Sequence, residues 1–168
     1  MIRKAIGYLA VVALTAGCDS ATTAPPPGVP AGSTALQVLT VPDSVAQHLY
    51  SGIKDRRRLV IRDMVTWTQL WNEATQQRQP RPPVPQVDFT REVLIVASMG
   101  SRPTGGYSID IPNVYESGGQ RYVVVREVSP GAGCVLTQAL TAPVIAVRVS
   151  QHAGSTSFVE EPRTRPCT

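Results

Sequence analysis

Apolar residues recur at helical spacing in one segment of the chain. Trp67, Leu70, Trp71 and Ala74 are separated by three or four residues, which places them on one face of a helix. Thr66, followed by Gln69 three positions later, forms a capping-box pattern, and Pro80 opens a proline-rich stretch that ends the pattern. We therefore predict a helix from about Trp67 to Arg78, with both tryptophans as core anchors.

The other apolar patterns predict strands. Val93–Ala97 is continuously apolar, which is typical of a strand covered on both faces. Residues 107–111 alternate, so that Tyr107, Ile109 and Ile111 are predicted to point inward, and a turn at 117–119 joins them to a second arm over 121–128 as a hairpin. Further strands are predicted over 45–50, 58–62, 144–149 and 156–159. The predicted fold class is mainly β, a small sandwich or barrel with one inserted helix near residues 67–78.

The N-terminal residues have the pattern of an export signal. Arg3 and Lys4 precede an apolar stretch that is too short for a membrane-spanning helix, and small residues lead up to Cys18. This arrangement resembles the lipobox of bacterial lipoproteins, except that Thr15 stands where leucine is usual; the alternative is an ordinary secretory signal cut nearby. We predict a signal peptide over 1–17, a lipidated Cys18 with a flexible linker over 18–35, and a single β-rich domain over 36–168. The predicted location is the cell envelope, lipid-anchored to the membrane and facing the periplasm or the exterior.

Cysteine number and compartment together predict a disulfide. With Cys18 assigned to the lipid, Cys134 and Cys167 are the remaining pair, and an oxidising compartment favours their joining. Two free thiols are the alternative. The bridge would hold the C-terminus against the domain.

Charge gives no support for a nucleic-acid partner. The chain carries 16 basic and 12 acidic residues, and loss of Arg3 and Lys4 with the signal leaves 14 against 12, a formal charge of +2. This balance is too small to indicate nucleic-acid binding.

Residue types that perform catalysis are sparse. His48 and His152 have no second histidine or cysteine at metal-ligand spacing, and Ser108 lies outside any nucleophile elbow. The candidate acid-base groups, which the sequence cannot place together, are Asp88, Glu92, Asp110 and Glu127. We predict no catalytic residue, no metal, no cofactor and no small-molecule substrate, and we keep as an alternative a hydrolase that brings Asp110, Glu127, His48 or His152 into one cleft.

The segment GSRPTGGYSI at 100–109 is the strongest candidate for a binding site. It lacks the lysine and helix of a phosphate-binding loop, and it leads into a strand. Proline fixes one dihedral angle and Gly105-Gly106 permit positive φ, so the chain can form a pre-shaped loop that loses little entropy on binding. The predicted protein-binding residues are Arg102, Pro103, Thr104, Gly105, Gly106, Tyr107 and Ser108; the alternative is a structural connector.

Three segments carry a family resemblance. MVTWTQLWNEA, VDFTREVLIVASMGSRPTGGYSIDI and TQALTAPVIAVRV, in that order, resemble the C-terminal domain of the PrcB family, named for a lipoprotein subunit of a spirochaete protease complex. The likeness covers roughly residues 45–160. Its most specific part is 100–109, supported by Trp67, Trp71 and Asp88-Phe89.

The resemblance implies a non-catalytic accessory domain that stabilises or helps to assemble a protease. The Gly-Gly-Tyr-Ser loop is also similar to a loop by which chagasin-type inhibitors enter cysteine proteases, although Thr-Gly-Gly-Tyr here departs from the Thr-Thr-Gly-Tyr of that family. The expected function is therefore that of an exported, membrane-anchored subunit of a protease complex, and the alternative is a protease inhibitor.

Overall fold

The structure is a computed structural model that describes residues 24–41, 47–48 and 50–167. The predicted signal peptide and lipidated Cys18 lie outside these residues, as does the side chain of His48. In chain order the elements are β1 (Thr34–Ala35), β2 (Leu39–Thr40), β3 (Gln47–His48), β4 (Arg56–Ile61), α1 (Met64–Ala74), β5 (Glu92–Met99), β6 (Ser108–Ser117), β7 (Gln120–Pro130), β8 (Val144–Ser150) and β9 (Thr156–Arg165).

The strands form two sheets packed face to face. One has the order β1-β6-β7-β9, and the other has the order β2-β8-β5-β4, with β3 also pairing to β8. Pairing is antiparallel except between β7 and β9, which are parallel. The fold is thus a β-sandwich, with α1 packed on the outer face of the second sheet. This confirms the predicted fold class and decides between its two architectures.

The position of strand β5 between the helix and the other sheet explains why its sequence is continuously apolar over residues 93–97. Leu94 and Val96 pack on the helix side with Trp67, Trp71 and their neighbours. Val93, Ile95 and Ala97 point the other way and pack against the four-stranded sheet. Both faces of β5 are therefore removed from water, as predicted.

The helix begins and ends earlier than predicted. Asp63, not Thr66, is the N-cap: the backbone N–H of Thr66 donates to Asp63 Oδ1 at 2.8 Å, and the Thr66 hydroxyl donates to Asp63 Oδ2 at 2.8 Å. At the other end Thr75 N donates to Trp71 O, and Gly52 N donates to Ala74 O at 3.0 Å. The predicted end at Arg78 is wrong. The helix ends at Ala74, where the Gly52 amide of a distant loop binds the last helical carbonyl, and not at the proline-rich stretch that begins with Pro80. Both tryptophans are buried, as predicted.

The strand predictions succeeded in the apolar segments. The hairpin over 107–128 is β6 and β7, and β8 covers the predicted 144–149 strand. The strand predicted over 45–50 is described only at residues 47–48 and 50, which pair with β8 and with Ala142. Strand β9 is longer than predicted, and its second half is polar and contains Pro162. Proline is tolerated there because β9 is at the edge of its sheet.

Charged side chains join the two sheets between β4 and β7–β9. Arg58 Nε donates to Glu160 Oε1 at 2.9 Å, and Arg58 also forms an ion pair with Glu127. Arg56 contacts the same two carboxylates, at 3.0 Å from Glu127 and 2.8 Å from Glu160. Arg58 Nη1 further donates to Ser98 O at 2.9 Å, which ties the network to β5.

This network predicts that Glu160→Gln makes the fold less sensitive to acid. Burial alone would raise the pKa of Glu160, but hydrogen bonds and charges from Arg58 and Arg56 lower that pKa overall. A carboxylate with a lowered pKa stabilises the fold above its unfolded pKa of about 4.3, and this stabilisation is lost as pH falls through the folded pKa. Urea denaturation at pH 7 and pH 3.5 should show a smaller loss of stability for the variant than for the wild type. Parallel stability curves for the two proteins would contradict the prediction.

Candidate functional site

The predicted binding loop lies at one end of the sandwich. Strand register brings the end of β5 beside the start of β4, and the end of β7 beside the end of β9. Four segments therefore meet there: residues 50–55, 100–107, 131–143 and 165–167. We call this surface the loop end. The turns at 118–119 and 151–155 lie at the opposite end.

Hydrogen bonds from two neighbouring segments fix the backbone of 100–107. Ser101 N donates to Lys54 O at 2.9 Å. Arg102 and Thr141 form a two-way antiparallel bridge, with N to O distances of 2.7 and 3.0 Å. Gly105 N donates to Thr137 O at 2.9 Å, and the Thr141 hydroxyl donates to Thr104 O at 2.9 Å. The loop is thus pre-shaped by 131–141 as well as by its own residues.

Two glycines of this segment are required by backbone geometry. Gly100 has φ +70°, and a Cβ there would lie 2.7 Å from Lys54 O. Gly106 has φ +86°, and its Cβ would meet Leu136 Cδ2 at 2.9 Å. Of the two glycines that the sequence marked as permitting positive φ, Gly106 adopts it, whereas Gly105 is not among the described glycines with positive φ. Gly100, which the sequence argument passed over, has that role at the start of the loop.

Part of the loop remains accessible to a partner. Ser101, Pro103 and Gly106 are exposed, whereas Thr104, Gly105 and Ser108 are partly buried. The Arg102 guanidinium carbon lies 5.6 Å from the centroid of the Tyr107 ring, within the range of a cation–π contact. Tyr107 is only half-buried, and the predicted inward-pointing series reaches full burial at Ile111.

Three exposed hydrophobic side chains at the loop end escaped the sequence analysis. Val135 is fully exposed, and Leu140 and Tyr50 are 76% and 54% exposed. Val135 and Leu140 belong to 131–141, whose apolar residues do not recur at the spacing of a helix or a strand. Two large apolar residues in such a segment were the sequence signal that could have indicated an exposed apolar surface. Clusters of exposed apolar side chains are more typical of interaction sites than of plain surface.

A disulfide closes the edge of this surface. Cys134 and Cys167 are bonded, with their Cα atoms 5.3 Å apart, as predicted. Gly131 N also donates to Arg165 O at 2.8 Å, so the segment after β7 is held to the end of β9 twice. A cleft lined by Gly106, Leu136, Pro130 and the disulfide lies between the two loops.

The candidate acid-base side chains have different surroundings. Asp110 and Glu127 lie on the paired strands β6 and β7, one register position apart, which places their side chains on opposite faces of the sheet. Asp110 accepts from the backbone N–H of Ile111, Glu127 belongs to the ion-pair network, and His152 lies near Glu116 at the opposite end of the domain. The His152 side chain is mostly buried, and its Nε2 has no hydrogen-bond partner among the described residues. No group of three or more His, Cys, Asp or Glu side chains with metal-binding geometry occurs among the described residues.

Two segments of the loop end and the central strands match a known family model. Residues 93–150 match the PrcB C-terminal family model. The match confirms the resemblance found in the sequence and extends from β5 to β8, so it includes both 100–107 and 131–143. No significant match to a curated protein or to a solved structure was found. The PrcB C-terminal match suggests a subunit associated with a protease complex.

The described part of the chain contains one helix, α1, which is 11 residues long. Within residues 24–41, 47–48 and 50–167 no helix is both long and apolar enough to be a membrane span.

Proposed function

We propose that this protein is an exported, lipid-anchored accessory subunit of a protease complex, and that it binds its partner protein through the loop end. The family match over 93–150 supports association with a protease complex. The export and lipid-anchor parts of the proposal rest on the sequence around Cys18.

The observation that carries the binding role is the combination of a fixed backbone and exposed apolar side chains. Residues 100–107 are held by hydrogen bonds to Lys54, Thr137 and Thr141, so little backbone entropy is lost when a partner binds. Val135 and Leu140 project from the adjoining segment and supply apolar contact area. Rigid loops that carry exposed apolar side chains are suited to protein interaction sites.

We expect Val135→Ser with Leu140→Ser to reduce recovery of the partner protease at least about tenfold. The full chain, with an affinity tag inserted at the exposed Gly118–Gly119 turn, would be expressed in its native host and purified after mild detergent extraction. This turn is at the opposite end from the proposed surface, and a Cβ at either glycine meets nothing within 4 Å.

Val65→Ser is the matched control, because Val65 is 69% exposed on α1, away from the loop end. Equal recovery with all three proteins would exclude the loop end as the binding surface. Absence of any protease from the wild-type sample would contradict the accessory-subunit proposal.

Inhibition of a protease is the second candidate function. It is favoured by the meeting of 100–107, 131–143 and 50–55 at one end of a sandwich, where they present Val135, Leu140 and Tyr50 together. An activity assay of the recovered protease separates the two functions. If the protein is an inhibitor, adding it lowers the protease activity; if the protein is an accessory subunit, adding it maintains or prolongs that activity. Lack of inhibition of cysteine and serine proteases at micromolar concentration would exclude the inhibitor.

A further inference from the structure

The loop end carries unpaired positive charge. Lys54 and Arg165 are exposed, and neither they nor Arg102 form an ion pair with any described residue. In the four segments of the loop end the single acidic residue is Asp55, which lies 3.5 Å from Arg57. The loop end is therefore an apolar surface with a basic rim. It differs in this from the rest of the described chain, where most arginines form ion pairs with carboxylates.

Arg102 differs from the two rim residues in being held in place. Its backbone is bridged to Thr141 and its guanidinium lies over the Tyr107 ring. Arg102 Nε is buried without a hydrogen-bond partner. The position of the side chain is thus set by its backbone and the aromatic ring, and none of the carboxylates in residues 24–41, 47–48 and 50–167 pairs with its terminal nitrogens.

We propose that Arg102 binds a carboxylate of the partner protein, with apolar contacts to Leu140 and Val135 beside it. This deepens the proposed function, on which it rests, by naming the chemistry of the partner surface: an acidic group next to apolar side chains. A guanidinium forms two parallel hydrogen bonds to a carboxylate, and a neighbouring ring orients it for that purpose. Lys54 and Arg165 add long-range attraction that salt will screen.

Short peptides test this chemistry without the protease. Acetyl-Leu-Glu-Leu-amide offers a side-chain carboxylate, acetyl-Leu-Leu-Leu offers a terminal carboxylate, and acetyl-Leu-Gln-Leu-amide is the neutral control. In NMR titrations of the isotope-labelled protein, we expect at least one carboxylate peptide to shift the signals of Gly105, Gly106 and Leu140 in a saturable way. We expect the neutral peptide to bind about tenfold more weakly.

Arg102→Leu should reduce the affinity for the carboxylate peptide to that of the neutral one, whereas Arg91→Leu should leave it unchanged. Leucine keeps apolar bulk at position 102, and Arg91 is an exposed arginine just before β5 at the opposite end. Comparison of the two carboxylate peptides shows whether Arg102 prefers the side-chain carboxylate of an acidic residue or the carboxylate of a chain terminus.

Equal binding of charged and neutral peptides, no peptide binding, or no effect of Arg102→Leu would each overturn the inference. Arg102-dependent binding to phosphatidylglycerol vesicles without peptide binding would overturn it in favour of a membrane surface. Recovery of a protease that binds the Arg102→Leu protein unchanged would leave the accessory-subunit proposal standing and remove only this inference.

Discussion

Trp71→Ala is expected to lower the free energy of unfolding by about 4 kcal/mol, in the range typical of removing a buried aromatic side chain. Trp71 is 1% exposed, and its ring centroid lies 5.2 Å from that of Trp67. Its indole N–H donates to Pro82 O at 3.1 Å, while that of Trp67 donates to Pro85 O at 2.9 Å. The truncation would therefore open a cavity between α1 and β5 and remove one of the two indole hydrogen bonds that hold the proline-rich segment to the helix.

Urea denaturation measures this loss, with two further variants as references. Trp71→Phe keeps most of the ring packing and removes the donor to Pro82, so we expect a smaller loss. Val65→Ala changes an exposed residue of the same helix and should alter stability by less than about 0.5 kcal/mol. A loss below about 1 kcal/mol for Trp71→Ala would show that α1 does not stabilise the second sheet as the packing indicates.

Replacing both disulfide cysteines, Cys134→Ser with Cys167→Ser, should cost about 3–4 kcal/mol by the loop-closure model. The cysteines are 33 residues apart in sequence, so the bridge restricts a long stretch of the unfolded chain. In the folded protein the bond holds 131–141, and that segment holds 100–107 through Thr137 and Thr141. Loss of the disulfide should therefore loosen the proposed binding surface as well as lower global stability.

Two measurements separate these effects. Denaturation of the wild type with and without reductant gives the global cost, and the double serine variant should match the reduced wild type. Hydrogen exchange at the Gly105 and Thr141 amides, both donors across the two loops, should become faster in the variant. Unchanged exchange at both amides would mean that the hydrogen bonds alone hold the loops together.

The apolar segments of the fold could be predicted because burial dictates their composition. Residues 93–97 of β5 are apolar at every position because helix and sheet cover the two faces of the strand, and the Trp67–Trp71 spacing places both rings under one side of α1. The predicted start of α1 was wrong by one turn, although Asp63 followed by Thr66 was visible as a capping pair. The first half of β9 was found and the second half was missed, because residues 161–165 carry no apolar pattern and pair with residues 126–130 of β7, which are distant in sequence.

The proposed binding loop was also predicted only in part from the sequence. Its glycines and proline marked 100–108 as a shaped turn, and the positive φ expected of the Gly105-Gly106 pair occurs at Gly106, with a second one at Gly100. Nothing local indicated that 131–141 would hold this loop, because the hydrogen bonds from Thr137 and Thr141 join residues more than 30 positions apart.

The sequence by itself determined that this is a mainly β protein with one amphipathic helix, a paired Cys134 and Cys167, and a glycine-rich turn before a hairpin. The strands, the helix and the turn follow from residue periodicity and backbone freedom, which act over a few positions, and the cysteine pair follows from cysteine number and the expected oxidising compartment. The tertiary structure alone decided which strands pair, that β7 and β9 run parallel, and that Val135, Leu140 and Arg102 share one surface with the loop. Such neighbours are selected by the summed packing and electrostatic energy of distant segments, which no short stretch of sequence contains.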